Sequence, residues 1–111
     1  MQVNRGDIWL INLNPIIGHE QSGTRPALII SDNLFNHSLA EMVIAVPITS
    51  KYRNIPTHVE LKTDFLKVTS YVKTEDIRSI STKRLVKKIG VVDEDILKLV
   101  EQRIRFLLGF K

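Results

Sequence analysis

The chain has 111 residues, 43% hydrophobic and 25% charged, which is an ordinary composition for one globular domain with a modest core. It contains no cysteine, which excludes disulfides, thiolate catalysis and cysteine-type zinc sites. No apolar run is long enough to span a bilayer and no signal peptide is visible, so we expect a cytoplasmic protein. Sixteen basic residues against twelve acidic give a net charge of +4, which favours an anionic partner without identifying it.

The first two thirds of the chain have the pattern of short strands. Asp32 can cap a single helical turn that carries Leu34 and Phe35. Apolar or alternating runs bounded by turn residues predict strands in five places: 7–13, 26–31, 42–48, 57–61 and part of 70–80.

The last third changes to helical spacing. Ser81 is predicted to cap a short helix that runs through Lys88 and is closed by Gly90. Asp93 is predicted to cap a longer amphipathic helix that stops at Gly109. Strands followed by helices indicate one α+β domain, residues 1–111, around a curled antiparallel sheet.

The segment from Gly18 to Pro26 places many polar groups between two apolar runs. Its glycines allow backbone N–H groups to approach a ligand closely. Pro26 biases Arg25 toward extended backbone, so the guanidinium should project from a strand end, where it can bind phosphate with two hydrogen bonds. A polar hairpin loop without a site is the alternative, and composition alone does not decide between them.

Four motifs in register resemble those of the MazF/PemK (Kid) toxin family, and the resemblance covers essentially the whole chain. The motifs are Arg5–Trp9, Gly18–Ser31, Pro47–Ser50 and Ser70–Ile80, the last followed by Lys83–Leu85. The resemblance implies an SH3-like small antiparallel β-barrel with appended short helices and a C-terminal helix. It also implies a sequence-specific endoribonuclease toxin that cleaves single-stranded RNA, leaves a 2′,3′-cyclic phosphate and a 5′-hydroxyl, acts as a homodimer and is held inactive by a cognate antitoxin.

By the same resemblance, the catalytic residues are Arg25, Thr49 and Glu20. Arg25 would stabilise the charge on the scissile phosphate, because the high pKa of a guanidinium makes it a poor general base. The alternative for Arg25 is a surface ion pair with Glu20 or Glu60. The proton acceptor stays open between Glu20 and Glu75.

Lys73 and Glu75 are two residues apart on a predicted strand, so we expect them to share one face. The PemK/Kid branch of the family has an arginine and an aspartate at these positions, implicated in catalysis. Lysine does not replace arginine at a bidentate site, so the sequence does not decide whether Lys73 and Glu75 act in proton transfer or only in binding.

Substrate contacts are predicted for polar and basic residues of the motifs and for one aromatic residue. Tyr52, flanked by Lys51 and Arg53, is the best candidate for stacking on a base, whereas Trp9 should lie in the core. His37 and His58 are expected at the surface. The full set is His19, Gln21, Ser22, Thr24, Ser50, Lys51, Tyr52, Lys73, Glu75 and Arg78.

No cofactor or metal is expected, because the three histidines are far apart and never have the spacing of a helical metal motif. Two rival functions stay open. The CcdB toxins, which poison DNA gyrase, share the fold that the resemblance implies, and a non-catalytic SH3-like module that only binds RNA would keep the same scaffold.

Overall fold

A computed structural model describes residues 2–13 and 23–110 of the chain. Two α-helices lie in these ranges, α1 (Asn33–Asn36) and α2 (Glu94–Leu108), together with two 3₁₀ turns, Thr74–Asp76 and Thr82–Arg84. The strands are β1 (Asp7–Asn12), β2 (Thr24–Ile29), β3 (Met42–Thr49), β4 (His58–Leu61), β5 (Ser70–Lys73), β6 (Arg78–Ser81) and β7 (Leu85–Val91).

The seven strands form one antiparallel sheet in the order β4-β5-β3-β2-β1-β7, and β6 also pairs with β3. The first half of β3 pairs with β6, with Met42 opposite Ser81, and its last residues pair with β5, with Thr49 opposite Tyr71. The predicted α+β fold with a curled, barrel-like antiparallel sheet is confirmed. Among the described strands, β4 and β7 are the two ends of the path, so the barrel is open.

The central strands are buried on both faces, because apolar residues occupy both sets of alternating positions. On one face, Ile8, Leu28 and Val46 pack in the same core as Val100 and Ile104 of α2. On the other face, the residues of β1, β2 and β3 that alternate with these form a second cluster together with residues outside the three strands. This cluster comprises Val3, Trp9, Ile11, Leu13, Ala27, Ile29, Val43, Ala45, Ile80 and Leu85.

Both helices whose caps were predicted at aspartates are confirmed. The carboxylate of Asp32 accepts a hydrogen bond from Leu34 N at 2.8 Å, and that of Asp93 accepts from Ile96 N at 2.9 Å. The helix α2 ends at Gly109, whose φ of 79° places it in the left-handed region that favours glycine. Neither helix in the described ranges is long and apolar enough to cross a membrane.

The predicted helix from Ser81 to Lys88 is wrong. The hydroxyl of Ser81 caps only the 3₁₀ turn Thr82–Arg84, and the chain then continues as β7, which pairs with β1. The available edge of β1 supplies hydrogen-bond partners that outweigh the local helical spacing. The segment 70–80 also contains two strands, β5 and β6, where one was predicted, because the turn Thr74–Asp76 divides it.

Candidate active site

Arg25 and Thr49 are brought together by the pairing of β2 with β3. In this antiparallel pair Ala27 lies opposite Pro47, and Arg25 and Thr49 each lie two residues beyond this last registered pair, at the same end of the two strands. Both side chains line one cavity of about 550 Å³, which we call the Arg25–Thr49 cavity. Two of the three residues that the family resemblance marks as catalytic therefore line the same cavity.

The cavity is strongly basic. Five of its lining residues are lysine or arginine, and among the described residues none of its lining side chains is acidic. Among the described residues, Arg25 forms no ion pair with Glu60. A lining with this much positive charge raises the local concentration of a polyanion. The basic lining residues are Arg25, Lys51, Arg53, Lys67 and Lys73.

Thr49 ends β3, and its hydroxyl oxygen accepts a hydrogen bond from Lys51 N at 3.2 Å. This contact fixes the side chain and allows its own O–H to donate into the cavity. Ser50 and Lys51, both predicted substrate contacts, line the cavity directly after it.

The pair β4–β5 forms a second wall by strand alternation. Val59 and Val72 enter the core, whereas His58, Tyr71 and Lys73 lie on the opposite face. His58 pairs with Lys73 in the register, and both line the cavity. The ammonium of Lys73 also lies 2.8 Å from the carboxylate of Asp76.

Lys73 and Glu75 do not share a strand face, so that prediction is wrong. The strand β5 ends at Lys73, and Glu75 belongs to the following 3₁₀ turn. Glu75 accepts a hydrogen bond from the hydroxyl of Thr57 at 2.7 Å and lies 2.9 Å from Nε2 of His58. Glu75 is not among the residues that line the cavity.

The hydrogen bonds of Glu75 decide its charge. Partial burial by itself would raise the pKa of Glu75, but hydrogen bonds from Thr57, from the backbone and from His58, together with the positive charge that His58 carries when it is protonated, lower the pKa below its ordinary value. Glu75 is thus an ionised carboxylate held by neighbours, which makes it a poor acceptor for a proton from the substrate.

His58 is buried, so its predicted surface position is wrong. Its side chain is 3% exposed, and its ring stacks on Tyr71 with centroids 6.5 Å apart and an interplanar angle of 28°. The alternation of 57–61 does place His58 on the polar face of its strand, beside Glu60. The ring of Tyr71 and the carboxylate of Glu75 lie against the His58 side chain, and local sequence does not reveal these neighbours.

Tyr52 is exposed, with 67% of its surface accessible, and meets Tyr71 edge to face at 5.6 Å. Its loop is tied to α2 by a hydrogen bond from Arg103 to the carbonyl of Pro56 at 2.7 Å. Tyr52 itself does not line the cavity, although Lys51 and Arg53 on either side of it do, and its stacking on a base stays a prediction. Trp9 is buried and donates to Asp7, as expected of a core residue.

The remaining predicted residues are dispersed or not described. Thr24 is exposed at the start of β2 and pairs with Asn12, one residue from Arg25. Arg78 lies opposite Ala45, four residues before Thr49 on β3, and is not among the cavity-lining residues. The predictions for His19, Glu20, Gln21 and Ser22 fall outside the described residues.

Sequence reasoning did not predict the outer wall of the cavity, which comes from Leu66, Lys67 and Val68. These residues have no motif that marks them. Within the described ranges, no group of three or more histidine, aspartate or glutamate side chains is arranged to hold a metal ion.

The chain matches a family model described as PemK-like, MazF-like toxin of type II toxin–antitoxin system over residues 4–108. It is 33% identical to the endoribonuclease EndoA of Bacillus subtilis over 112 residues, covering 98% of this chain and 97% of that protein. The crystal structure of MazF from Deinococcus radiodurans is similar, with 28% identity, a TM-score of 0.86 and 99% of both chains covered. A MazE–MazF structure from the same organism, also 28% identical, has a TM-score of 0.84 and covers 100% of this chain and 99% of that one.

The family match spans the strands that build the Arg25–Thr49 cavity as well as the C-terminal helix. The sequence relative and the structural relatives agree with it over nearly full length. The chain therefore belongs to the PemK-like, MazF-like toxins of type II toxin–antitoxin systems.

Proposed function

We propose that the chain is a sequence-specific, metal-independent endoribonuclease that cleaves single-stranded RNA. The observation that carries the proposal is that Arg25 and Thr49 line one cavity whose lining includes five basic residues. Membership of the toxin family and the similarity to an enzyme named endoribonuclease support it.

The cavity suits cleavage by the neighbouring 2′-hydroxyl of RNA. That oxygen attacks phosphorus, the bond to the 5′-oxygen breaks, and a 2′,3′-cyclic phosphate and a 5′-hydroxyl result. Arg25 binds the phosphate and stabilises the charge that develops on its oxygens, and the hydroxyl of Thr49 donates to the same group. Single-stranded RNA fits because its unstacked bases can reach an aromatic ring such as Tyr52.

The proposed assembly is a homodimer in the cytoplasm, with each chain a single domain over residues 1–111. The C-terminal end of α2 exposes Phe106, Leu108 and Phe110, a group of large apolar side chains suited to contact between subunits. The proposed regulator is a cognate antitoxin, since a related MazF was solved with MazE. An acidic, initially disordered tail would complement the basic cavity and occlude Arg25.

A single experiment tests the activity against both rival functions. Purified protein is incubated with a long RNA in EDTA, and cut sites are mapped by primer extension. The proposal expects discrete cuts at a short recurring sequence, with cyclic phosphate at the new 3′ ends. Intact RNA together with inhibition of DNA gyrase would favour a gyrase poison, and intact RNA that is tightly bound would favour a non-catalytic RNA-binding module.

A further inference from the structure

His58 lies in the wall of the Arg25–Thr49 cavity, and its two ring nitrogens have different surroundings. Its Nε2 atom is 2.9 Å from the carboxylate of Glu75. Its Nδ1 atom is buried and has no hydrogen-bond partner among the described residues. Buried polar atoms are nearly always paired, and the exceptions concentrate where a ligand or a reaction uses them. The unpaired Nδ1 therefore points to a role in the cavity.

The neighbours of His58 determine which ring nitrogen accepts a proton. The ionised carboxylate of Glu75 can only accept hydrogen bonds, so Nε2 carries the hydrogen that it receives. The neutral ring then has its lone pair on Nδ1. A carboxylate behind an imidazole fixes the tautomer and stabilises the imidazolium that forms when the ring takes up a proton.

The surrounding charges favour the same assignment. Glu75, 2.9 Å from Nε2, compensates the positive charge that the ring gains when Nδ1 takes up a proton. The charged and titratable groups around His58 are Glu75 from the 3₁₀ turn, Tyr71 and Lys73 from β5, Glu60 from β4, Arg25 from β2, and Lys51, Arg53 and Lys67 from the loops.

We propose that Nδ1 of His58 is the proton acceptor for the attacking 2′-hydroxyl, and that Glu75 is the positioning residue that orients the ring; this rests on the endoribonuclease function proposed above. The 2′-O–H bond breaks as its proton moves to Nδ1, and the 2′-oxygen forms a bond with phosphorus. The bond between phosphorus and the 5′-oxygen breaks, and the 5′-oxygen takes a proton from water. His58 then returns its proton to solvent, so no group is consumed.

This role requires the substrate to reach Nδ1, which is shielded in the unliganded chain. Leu66 and Val68, in the loop between β4 and β5, line the same cavity as His58. RNA binding must shift this wall by a small amount for the 2′-hydroxyl to meet the ring. Catalytic hydrogen bonds are often incomplete in an unliganded enzyme and tighten in the complex.

The test compares His58→Gln and Glu75→Gln with a matched control, His37→Gln, at an exposed histidine outside the cavity. Single-turnover rates are measured against pH on an RNA with one mapped cut site. Affinity is measured with the same RNA carrying a 2′-deoxy sugar at that site, which binds but cannot react. We expect His58→Gln to lower the rate about 10²–10⁴-fold, with loss of the acid-side decline and unchanged affinity. Glu75→Gln should lower the rate less than His58→Gln does and should displace the acid-side decline to another pH. Glu75→Asp should restore part of the rate that Glu75→Gln loses, and His37→Gln should behave as wild type.

Four outcomes would overturn the assignment. The first is a His58→Gln protein that cuts at the wild-type rate. The second is a His58→Gln protein that loses both rate and affinity but keeps the wild-type pH profile, which would show that His58 only shapes the wall of the cavity. If His58→Gln does not fold, Glu75→Gln decides, and an unaltered pH profile there refutes the role. Finally, an RNA with sulfur in place of the 5′-oxygen needs no leaving-group proton, so recovery of the His58→Gln rate on it would make His58 the acid. A wild-type protein that cuts no RNA removes the proposed function itself.

Discussion

The ring of Phe65 covers the α-carbon of Gly90 so closely that a methyl group at position 90 would lie 2.4 Å from it. Gly90 is in β7, at one end of the sheet, whereas Phe65 belongs to the loop between β4 and β5, at the other. The same loop supplies the outer wall of the Arg25–Thr49 cavity. This contact therefore anchors a wall of the site to a distant strand.

Gly90→Ala should displace the Phe65 ring and, with it, the loop that carries Leu66 and Lys67. We expect a loss of about 1–3 kcal/mol in unfolding free energy, typical of an overpacked contact, and a higher KM for RNA. Urea unfolding and steady-state cleavage would measure the two effects. Adding Phe65→Leu relieves the clash, so the double variant should be less impaired than the sum of the single changes. Strictly additive effects would show that the contact does not couple the two positions.

Arg25→Ala should lower cleavage about 10²–10³-fold, the usual cost of removing one strong donor to a developing oxyanion. The residue is exposed, so the melting temperature should be nearly unchanged. Arg25→Lys should recover little, because an ammonium cannot form the two parallel hydrogen bonds of a guanidinium. Lys98→Ala, which removes a positive charge from the exposed side of α2, is the matched control and should retain activity. Equal activity of Arg25→Ala and Lys98→Ala would refute the role of Arg25.

Thr49 can be tested by separating its hydroxyl from its methyl group. Thr49→Ser keeps both the acceptor for Lys51 N and the donor to the phosphate, so it should cut RNA at close to the wild-type rate. Thr49→Ala loses both and should lower kcat. Single-turnover assays at saturating protein distinguish the two variants, and equal loss in both would assign the effect to packing of the methyl group.

Tyr52→Ala should weaken RNA binding by about 1–3 kcal/mol, the typical contribution of stacking one base on an aromatic ring. Tyr52→Phe keeps the ring and its edge contact with Tyr71, so its affinity should stay close to that of wild type. Fluorescence anisotropy with a non-cleavable 2′-deoxy-substituted RNA measures both. Undiminished affinity in Tyr52→Ala would show that the ring is not a stacking surface.

The lowered pKa of Glu75 makes part of the stability depend on pH. Because the folded-state pKa is below the ordinary value of 4.5, the contribution is fully present above 4.5 and is lost as the pH falls through the lower folded value. The unfolding free energies of wild type and Glu75→Gln should therefore differ most near neutrality and converge in acid. The difference should be small, since the Glu75 side chain is 31% exposed. A gap that widens on acidification would contradict the sign of the shift.

Features that depend on local sequence were predicted correctly. The caps at Asp32 and Asp93 and the stop at Gly109 involve residues only a few positions apart, so their chemistry is visible in the sequence. Arg25 and Thr49 were both marked as catalytic by the family resemblance, and in the fold they line one cavity near the paired ends of β2 and β3.

Features that depend on pairing between distant strands were not predicted. The segment 81–88 became mostly strand because β1 offers it an edge, and His58 became buried because the ring of Tyr71 from β5 stacks on it. The prediction that Lys73 and Glu75 share a strand face was wrong for a related reason. The strand β5 ends at Lys73, where its pairing with β4 ends, and Glu75 lies in the turn that follows. Single-sequence patterns record side-chain periodicity but not which strand lies alongside.

The pairing of β1 with β7 also has a consequence for the timing of folding. Asp7 lies opposite Val91, so one edge of β1 has no partner until the ribosome has synthesised β7, about 80 residues later. At about 5–20 residues per second this interval lasts about 4–16 s. During it, β2 can pair with β1, but the far edge of β1 and the core under α2 stay open. A newly made chain therefore completes its sheet only after β7 has been synthesised.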